Sequence, residues 1–296
     1  GGGLASAGCS NSAQVGALNN SASLCLGNSN VGATVSGSIW NDSSDYTLNI
    51  GGVNGTYGNA NTVTITQTEG AILTTGARAF GIAAQSIAAG GGLFAAADVN
   101  VAQVNASTGF PGNGGPVDIT LGTGGANAKD ATITTYGTGA FGILAQSIGG
   151  GGGFAGDSSL PLAVGSANAV VSTSTQFDTT SGGSINISLN GDITTFGANA
   201  HGIFAQSLGD GGGAFGNDGQ LFAGNNPSGS ATPTYNGGGG AITINQTGGV
   251  VSTAGNGSIG IFAQSSGNNN NMQNPIDITI GGSVVGGTGT NAAGIV

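Results

Sequence analysis

The chain carries very little charge. Of its 296 residues only two are basic, twelve are acidic and one is a histidine, which gives a formal net charge of −10. Nucleic acids and anionic membranes bind proteins through patches of lysine and arginine. The two basic residues, Arg78 and Lys129, cannot form such a patch. The composition therefore argues against both kinds of partner.

Helix-forming residues and long apolar runs are also scarce. Glutamate and lysine each occur once, whereas 64 residues are glycine, and each glycine inside a helix costs about 1 kcal/mol relative to alanine. No stretch approaches the roughly 18 consecutive apolar residues of a membrane-spanning helix. Apolar residues still make up 38% of the chain, and Val, Ile and Thr alternate in short runs, which is typical of β-strands. We therefore predict an all-β fold.

Cysteine is limited to Cys9 and Cys25. An isolated pair without CxxC metal-binding spacing fits an exported protein with a disulfide, which would stabilise the fold by about 3 kcal/mol. Two unrelated free thiols are the alternative. The chain begins with GGG and ends within a repeated phrase, so we interpret it as a piece of a longer repetitive protein.

One phrase recurs through the chain. It occupies residues 76–86, 137–147, 197–207 and 255–265 and begins again at 289–296, reading GARAFGIAAQS, GTGAFGILAQS, GANAHGIFAQS, GNGSIGIFAQS and GTNAAGIV. Successive copies are 61, 60, 58 and 34 residues apart, counted at the glycine before the isoleucine. Such recurrence indicates stacked units rather than a single globular core.

Two strand-like segments precede each copy of the phrase. The first alternates apolar and polar residues, as in VTIT at 63–66 and VDIT at 117–120. The second is marked by one apolar residue four positions before the phrase: Ile72, Ile133, Ile193, Val251 and Val285. The phrase itself supplies a third strand, with inward isoleucines at Ile82, Ile143, Ile203 and Ile261.

Three short strands per unit, repeated in register, predict a β-solenoid, or parallel β-helix. Stacking at about 4.8 Å pairs every strand with its copies above and below, and buries an apolar face that one unit cannot hide. We divide the chain into an irregular N-terminal segment or partial coil at residues 1–59 and stacked coils at residues 60–296. Gly-rich turns join the strands.

The phrase repeats a glutamine at one position in every complete copy. These residues are Gln85, Gln146, Gln206 and Gln264. A column of amides can hydrogen-bond along the stack and satisfy polar groups that would otherwise cost about 1–3 kcal/mol each when buried. We predict a structural ladder of glutamines beside the isoleucine columns.

Long segments follow the first three copies of the phrase, at residues 88–115, 149–183 and 209–240. They are either hairpins that leave one side of the solenoid or partial extra coils. We favour excursions on one face, because the short fourth unit lacks a comparable segment. Loops on one face of a repeat protein are the usual place for binding.

Aromatic residues recur within the phrase as well. Phe204 and Phe262 follow the inward isoleucine, and if they point outward they form an apolar stripe for a partner or an inserted segment. His201 stands where other copies have Phe80 and Phe141. We interpret it as a packing residue, because no second histidine exists to share a metal or catalytic site.

Few residues suit catalysis or metal binding. A sugar-cleaving enzyme needs two carboxylates that flank one bond, and the candidates are Asp118 and Asp277 on outward strand positions or Asp210 and Asp218 in one loop. Calcium prefers oxygen ligands in flexible turns, which Asp210 offers. Asp42 with Asp45 offers the same chemistry. We predict no enzymatic activity and no cofactor, with calcium as the alternative.

The fullest copy of the phrase, GTGAFGILAQSIGGGGGFAG at Gly137–Gly156, closely resembles the repeats of large Gly-rich autotransporter passenger regions of Gram-negative bacteria. The resemblance covers about residues 60–296. It implies a right-handed parallel β-helix, exported through a C-terminal outer-membrane barrel and displayed on the cell surface. Such passengers commonly act as adhesins or surface fibres, and the family has no catalytic residues in these repeats.

Three functions follow as hypotheses. The first is a structural and adhesive segment, a rigid stalk whose variable loops contact a protein or glycan on a host or neighbouring cell. The alternative is a self-assembling extracellular fibre, since uncapped solenoid ends expose strand edges. The third is a β-helical polysaccharide hydrolase or lyase.

Overall fold

The computed structural model describes residues 6–7, 23–26, 46–50, 58–88, 91–96, 101–106, 112–122, 131–150, 152–157, 180–209, 211–216, 237–267 and 274–296. These residues form 22 β-strands and no helix. A helix able to cross a membrane is accordingly absent from the described ranges. The strands are β1 (Ser6–Ala7), β2 (Ser23–Leu26), β3 (Tyr46–Ile50), β4 (Val63–Gln67), β5 (Gly70–Thr74), β6 (Ile82–Ile87), β7 (Gly91–Ala96), β8 (Val101–Ala106), β9 (Val117–Leu121), β10 (Ala131–Thr135), β11 (Ile143–Ile148), β12 (Gly152–Asp157), β13 (Ile185–Leu189), β14 (Asp192–Thr195), β15 (Ile203–Leu208), β16 (Gly212–Gly216), β17 (Ile242–Gln246), β18 (Val250–Thr253), β19 (Ile259–Ser266), β20 (Ile276–Ile280), β21 (Ser283–Val285) and β22 (Ala293–Ile295).

Five repeats, numbered 1 to 5 along the chain, each contribute one strand to three sheets. The first sheet contains β4, β9, β13, β17 and β20, and the second contains β5, β10, β14, β18 and β21. The phrase sheet contains β6, β11, β15, β19 and β22. Every neighbouring pair in these sheets is parallel and joins consecutive repeats. Within the described ranges, the prediction of an all-β fold with stacked parallel strands is confirmed.

The register places equivalent residues in columns. Ile143 pairs with Ile82 on one side and with Ile203 on the other, and Ile203 pairs with Ile261. All four are buried, and they join the inward residues of the first and second sheets in one apolar core. Full burial of each isoleucine contributes about 1.5–3 kcal/mol, so the columns stabilise the stacking of one repeat on the next.

One predicted column member is wrong. Val251 pairs with Val284, not with Val285, and Val284 packs against the core whereas Val285 is 49% exposed. The last repeat has one residue more between its second strand and its phrase strand, because Ile261 pairs with Ile295. Counting four residues back from the phrase therefore lands on the outward neighbour.

A fourth, three-stranded sheet is an addition to the predicted three strands per repeat. It contains β7, β12 and β16, which are parallel and follow the phrase in repeats 1 to 3. Alternation did not predict them, because their sequences are mostly glycine and alanine. A separate sheet joins β1, β2, β3 and β8, with β1 antiparallel to β2.

Candidate functional site

The glutamines of the phrase hydrogen-bond to one another along the stack. Gln85 Nε2 donates to Gln146 Oε1 at 2.7 Å, Gln146 Nε2 to Gln206 Oε1 at 2.8 Å, and Gln206 Nε2 to Gln264 Oε1 at 3.0 Å. Gln146 and Gln206 are fully buried. Their Nε2 atoms also donate to the carbonyl oxygens of Gly153 and Gly213 in the fourth sheet, each at 3.3 Å. The amide column therefore links the repeats and ties the phrase sheet to the fourth sheet.

The serine after each glutamine bridges two consecutive repeats. Ser147 Oγ donates to the Gly115 carbonyl at 2.8 Å and accepts from the Gly183 amide at 2.7 Å. Gly115 and Gly183 lie just before the first strands of repeats 2 and 3. Ser207 makes the same two bonds one repeat further on. The hydroxyl thus fixes the end of the phrase strand to the start of two first-sheet strands.

The third residue of the phrase adopts a left-handed backbone conformation in every repeat. The φ angles are 51° at Arg78, 63° at Gly139, 51° at Asn199, 69° at Gly257 and 66° at Asn291. Glycine and asparagine tolerate this region best among the amino acids. Sequence reasoning missed this turn position, although its signal was the recurrence of Gly or Asn in four of five copies.

Phe204 and Phe262 point away from the main core and are covered. They are 0% and 9% exposed, and they belong to a second apolar cluster with Phe154 and Ala214 of the fourth sheet. Phe204 stacks on Phe262 at 4.8 Å between ring centroids, and Phe141 meets Phe154 edge-on at 5.7 Å. Of the two predicted roles for an outward stripe, contact with the inserted segment is the one that the fold shows.

His201 lies inside this aromatic cluster. Its ring stacks on Phe141 at 4.8 Å between centroids, and its Nδ1 accepts a hydrogen bond from the Ile259 amide at 3.0 Å. Burial lowers the pKa of His201 from 6.5 to about 3, because desolvation penalises the charged ring. The histidine is therefore neutral above pH 5, with its single proton on Nε2.

The long segments leave and rejoin the stack at neighbouring points. Gly149 begins the segment of repeat 2, and a Cβ there would lie 2.5 Å from the carbonyl oxygen of Ser181 at its end. A Cβ at Gly209 would lie 2.7 Å from the carbonyl carbon of Gly237 in the same way. The two ends of each of these segments therefore touch, and their first residues form β12 and β16 of the fourth sheet. The choice between hairpins and partial coils falls on residues 158–179 and 217–236, which lie outside the described residues. Close backbone approach explains why the point where the ends touch is rich in glycine.

The outward carboxylates do not meet. Asp118 accepts a hydrogen bond from Asn186 Nδ2 at 2.7 Å, in the next repeat of the same column. Asp277 belongs to that column but lies three repeats from Asp118, a separation of about 14 Å at the usual strand spacing. Paired glycosidase carboxylates lie roughly 5–9.5 Å apart, so this pair lacks the required geometry.

The remaining candidates fall largely outside the described residues. Cys9, Asp42, Asp45, Asp210 and Asp218 all lie there, so the disulfide with Cys25 and the calcium ligands stay predictions. Among the residues that are described, no three His, Cys, Asp or Glu side chains are grouped so as to hold a metal ion.

No protein-family model, curated protein or solved structure matched the chain.

Proposed function

We propose that the chain is a segment of right-handed parallel β-helix, a β-solenoid, in an adhesive passenger region displayed on a bacterial cell surface. Continuous columns across five repeats support the solenoid, because each strand of the three main sheets pairs with its equivalent in the next repeat. Handedness, export through an outer-membrane barrel and cell-surface location rest on the resemblance of the phrase to autotransporter repeats.

The excursions carry the adhesive part of the proposal. They start and end at one corner of the stack, while the phrase and its neighbouring strands supply hydrogen bonds and core. A scaffold of this kind holds variable segments at fixed positions, where they contact a protein or glycan on another cell.

Adhesion is tested by displaying the chain on bacteria and counting cells bound to epithelial and bacterial monolayers. In the test variant, residues 158–179 and 217–236 are replaced by Gly/Ser segments of equal length. We expect adherence to fall to background while the β-sheet circular dichroism spectrum is retained. Undiminished adherence of the folded variant would refute a role for these two excursions.

A self-assembling fibre is the second candidate. Strands of the three main sheets pair in register with their equivalents in the next repeat, and the same pairing between the strand edges of two copies would join them end to end. Sedimentation velocity at rising concentration separates the candidates, since a fibre subunit forms growing oligomers and a stalk stays monomeric.

A further inference from the structure

Among the described residues outside repeat 5, the large exposed hydrophobic residues lie on the outer face of the second sheet. Leu73 is 64% exposed, Tyr136 51%, Phe196 46% and Val250 39%. The outward positions between them are mainly hydroxyl residues, since β10 and β14 turn Thr132, Thr134 and Thr194 outward. We call this surface the second-sheet face. It is mixed in chemistry, with apolar groups set among hydrogen-bonding ones.

Two aromatic rings stack at one edge of this face. Tyr136 and Phe196 lie with ring centroids 4.8 Å apart and planes 12° apart. They occupy one column, because the amides of Tyr136, Phe196 and Ala254 each bond to the preceding repeat in the same way. The neighbouring positions of this column are Thr75 and Ala254, both short and exposed. Short neighbours leave room for a ligand ring against the outer side of either aromatic.

The charge of the surroundings restricts the ligand. Asp192 is the charged residue among the outward positions of β10, β14 and β18, and its Oδ1 accepts from the Val250 amide at 2.8 Å. A carboxylate has about four acceptor sites, so it retains capacity for a hydroxyl donor. The chain as a whole carries −10. Anionic ligands are therefore repelled, and a neutral ligand with hydroxyl groups fits.

We propose that Tyr136 and Phe196 form the platform of a binding site for a neutral glycan on the second-sheet face. One side of a sugar ring presents C–H groups, which are attracted to the negative face of an aromatic ring. Its hydroxyls then face Thr134 and Thr194, the outward threonines two positions before Tyr136 and Phe196, and a second sugar unit along the strand direction would lie towards Asp192, about 13 Å from Phe196 along the strand. The site lies on the stacked repeats rather than on the excursions, so it goes beyond the adhesive role proposed above.

The chain provides its own test substitutions. Tyr136→Thr and Phe196→Ala introduce the residues that repeats 1 and 4 carry at this column, Thr75 and Ala254, so the double variant keeps a fold that already accepts them. Leu73→Thr is the matched control, because it removes an apolar group of the same face that is even more exposed than the two aromatic rings, and places there the residue found at Thr134 in the same column. Unfolding midpoints and circular dichroism check that all variants fold.

The probes are soluble cellulose, chitin and mannan oligosaccharides, with polygalacturonate oligosaccharides and phosphatidylcholine vesicles as comparators. Saturation-transfer NMR from the aromatic protons and titration calorimetry measure binding to the purified chain. We expect at least one neutral oligosaccharide to bind, and the double variant to bind about tenfold or more weakly, as when an aromatic anchor is removed. Leu73→Thr should bind like the unmodified chain.

The proposal is overturned if no neutral oligosaccharide binds, if only polygalacturonate or vesicles bind, or if the double variant binds as well as the unmodified chain. An equal loss in Leu73→Thr would also overturn it, since that result indicates general apolar contact. Adherence of displaying cells without oligosaccharide binding would remove the glycan site and leave the adhesive role intact. Oligosaccharide binding without adherence of displaying cells would support the glycan site and argue against the adhesive role.

Discussion

At the scale of single residues, each position of the phrase has a distinct physical task. The isoleucine fills the core, the glutamine bonds along the stack, the serine bridges two repeats and the third residue takes the left-handed turn. Because neighbouring copies are in contact, a change at one copy also alters the environment of the next. Substitutions in the middle repeats should therefore be more costly than those at the end.

Replacing Gln146 by leucine tests the amide column. The change removes the acceptor of Gln85 Nε2 and the donor to Gln206 Oε1, and each buried polar group that loses its partner costs about 1–3 kcal/mol. We expect the free energy of unfolding in urea to fall accordingly. Gln264→Leu is the control, since in this structure it removes one side-chain bond of the column, the one from Gln206 Nε2. Equal losses for both variants would contradict a continuous ladder.

Asn199 tests the left-handed turn. Asn199→Gly should change the free energy of unfolding little, because glycine stands at Gly139 and Gly257 in the same column. Asn199→Val should destabilise the fold by about 1–2 kcal/mol, because a Cβ-branched residue is disfavoured at positive φ. Thermal unfolding compares the two. Similar stability of the valine and glycine variants would show that the turn relaxes.

His201 makes stability depend on pH. Its pKa is about 3 in the folded chain and 6.5 in the unfolded chain. Above pH 6.5 the ring is neutral in both states, and the fold has its full stability. Below pH 6.5 the unfolded chain takes up a proton that the folded chain does not. The fold therefore loses stability as pH falls from 6.5 towards 3, by about 2 kcal/mol at pH 5. In His201→Phe, which introduces the residue of Phe141, this loss should be absent. Unfolding midpoints of both proteins between pH 7.5 and 4.5 give the measurement, and parallel curves would contradict it.

At the scale of elements, the fourth sheet converts an exposed stripe into a second apolar layer. Phe154 reaches Phe80 and Phe141 edge-on, at 5.4 and 5.7 Å between ring centroids, and the glutamine column donates to the same sheet. β7, β12 and β16 therefore depend on the phrase sheet, whereas the main core is formed without them. The two layers should differ in local stability.

Phe154→Ala tests this difference. Removal of a fully buried phenylalanine typically costs about 3–5 kcal/mol. Here we expect it to lower mainly the local stability of the fourth sheet. Hydrogen exchange should show lost amide protection in β7, β12 and β16, with protection retained in β9, β13 and β17. Leu73→Ala, an exposed control, should leave both layers protected. Uniform loss across all sheets would show that the layers unfold together.

The main sheets could be predicted from sequence because their residues alternate and recur at fixed phase. The fourth sheet could not, because Gly152 to Gly156 has no alternation, and Phe154 is placed by packing against phenylalanines of the phrase such as Phe141. The error at Val285 has a similar cause, since turn length varies while strand register does not. The stacking of Tyr136 on Phe196 could be recognised only once the strand register was known, since the two residues are 60 positions apart in the sequence.

At the scale of the whole molecule, the repeats form a linear array in which each one contacts its neighbours. Stability of such an array is approximately a sum of repeat terms and nearest-neighbour terms. Deleting residues 268–296 should therefore leave repeats 1 to 4 folded, with the β-sheet signal per residue unchanged in circular dichroism. The unfolding midpoint should fall by one neighbour term, and collapse of the whole signal would contradict this additivity.

Because the two ends of an excursion touch, the number of residues in a repeat does not determine how far that repeat extends the stack. Along the first sheet, equivalent residues are 54, 68, 57 and 34 positions apart, from Val63 through Val117, Ile185 and Ile242 to Ile276. Every one of these intervals advances the stack by the same single strand spacing, about 4.8 Å. Insertions and deletions in an excursion therefore leave the length of the stack unchanged. Only the gain or loss of a whole repeat would change that length.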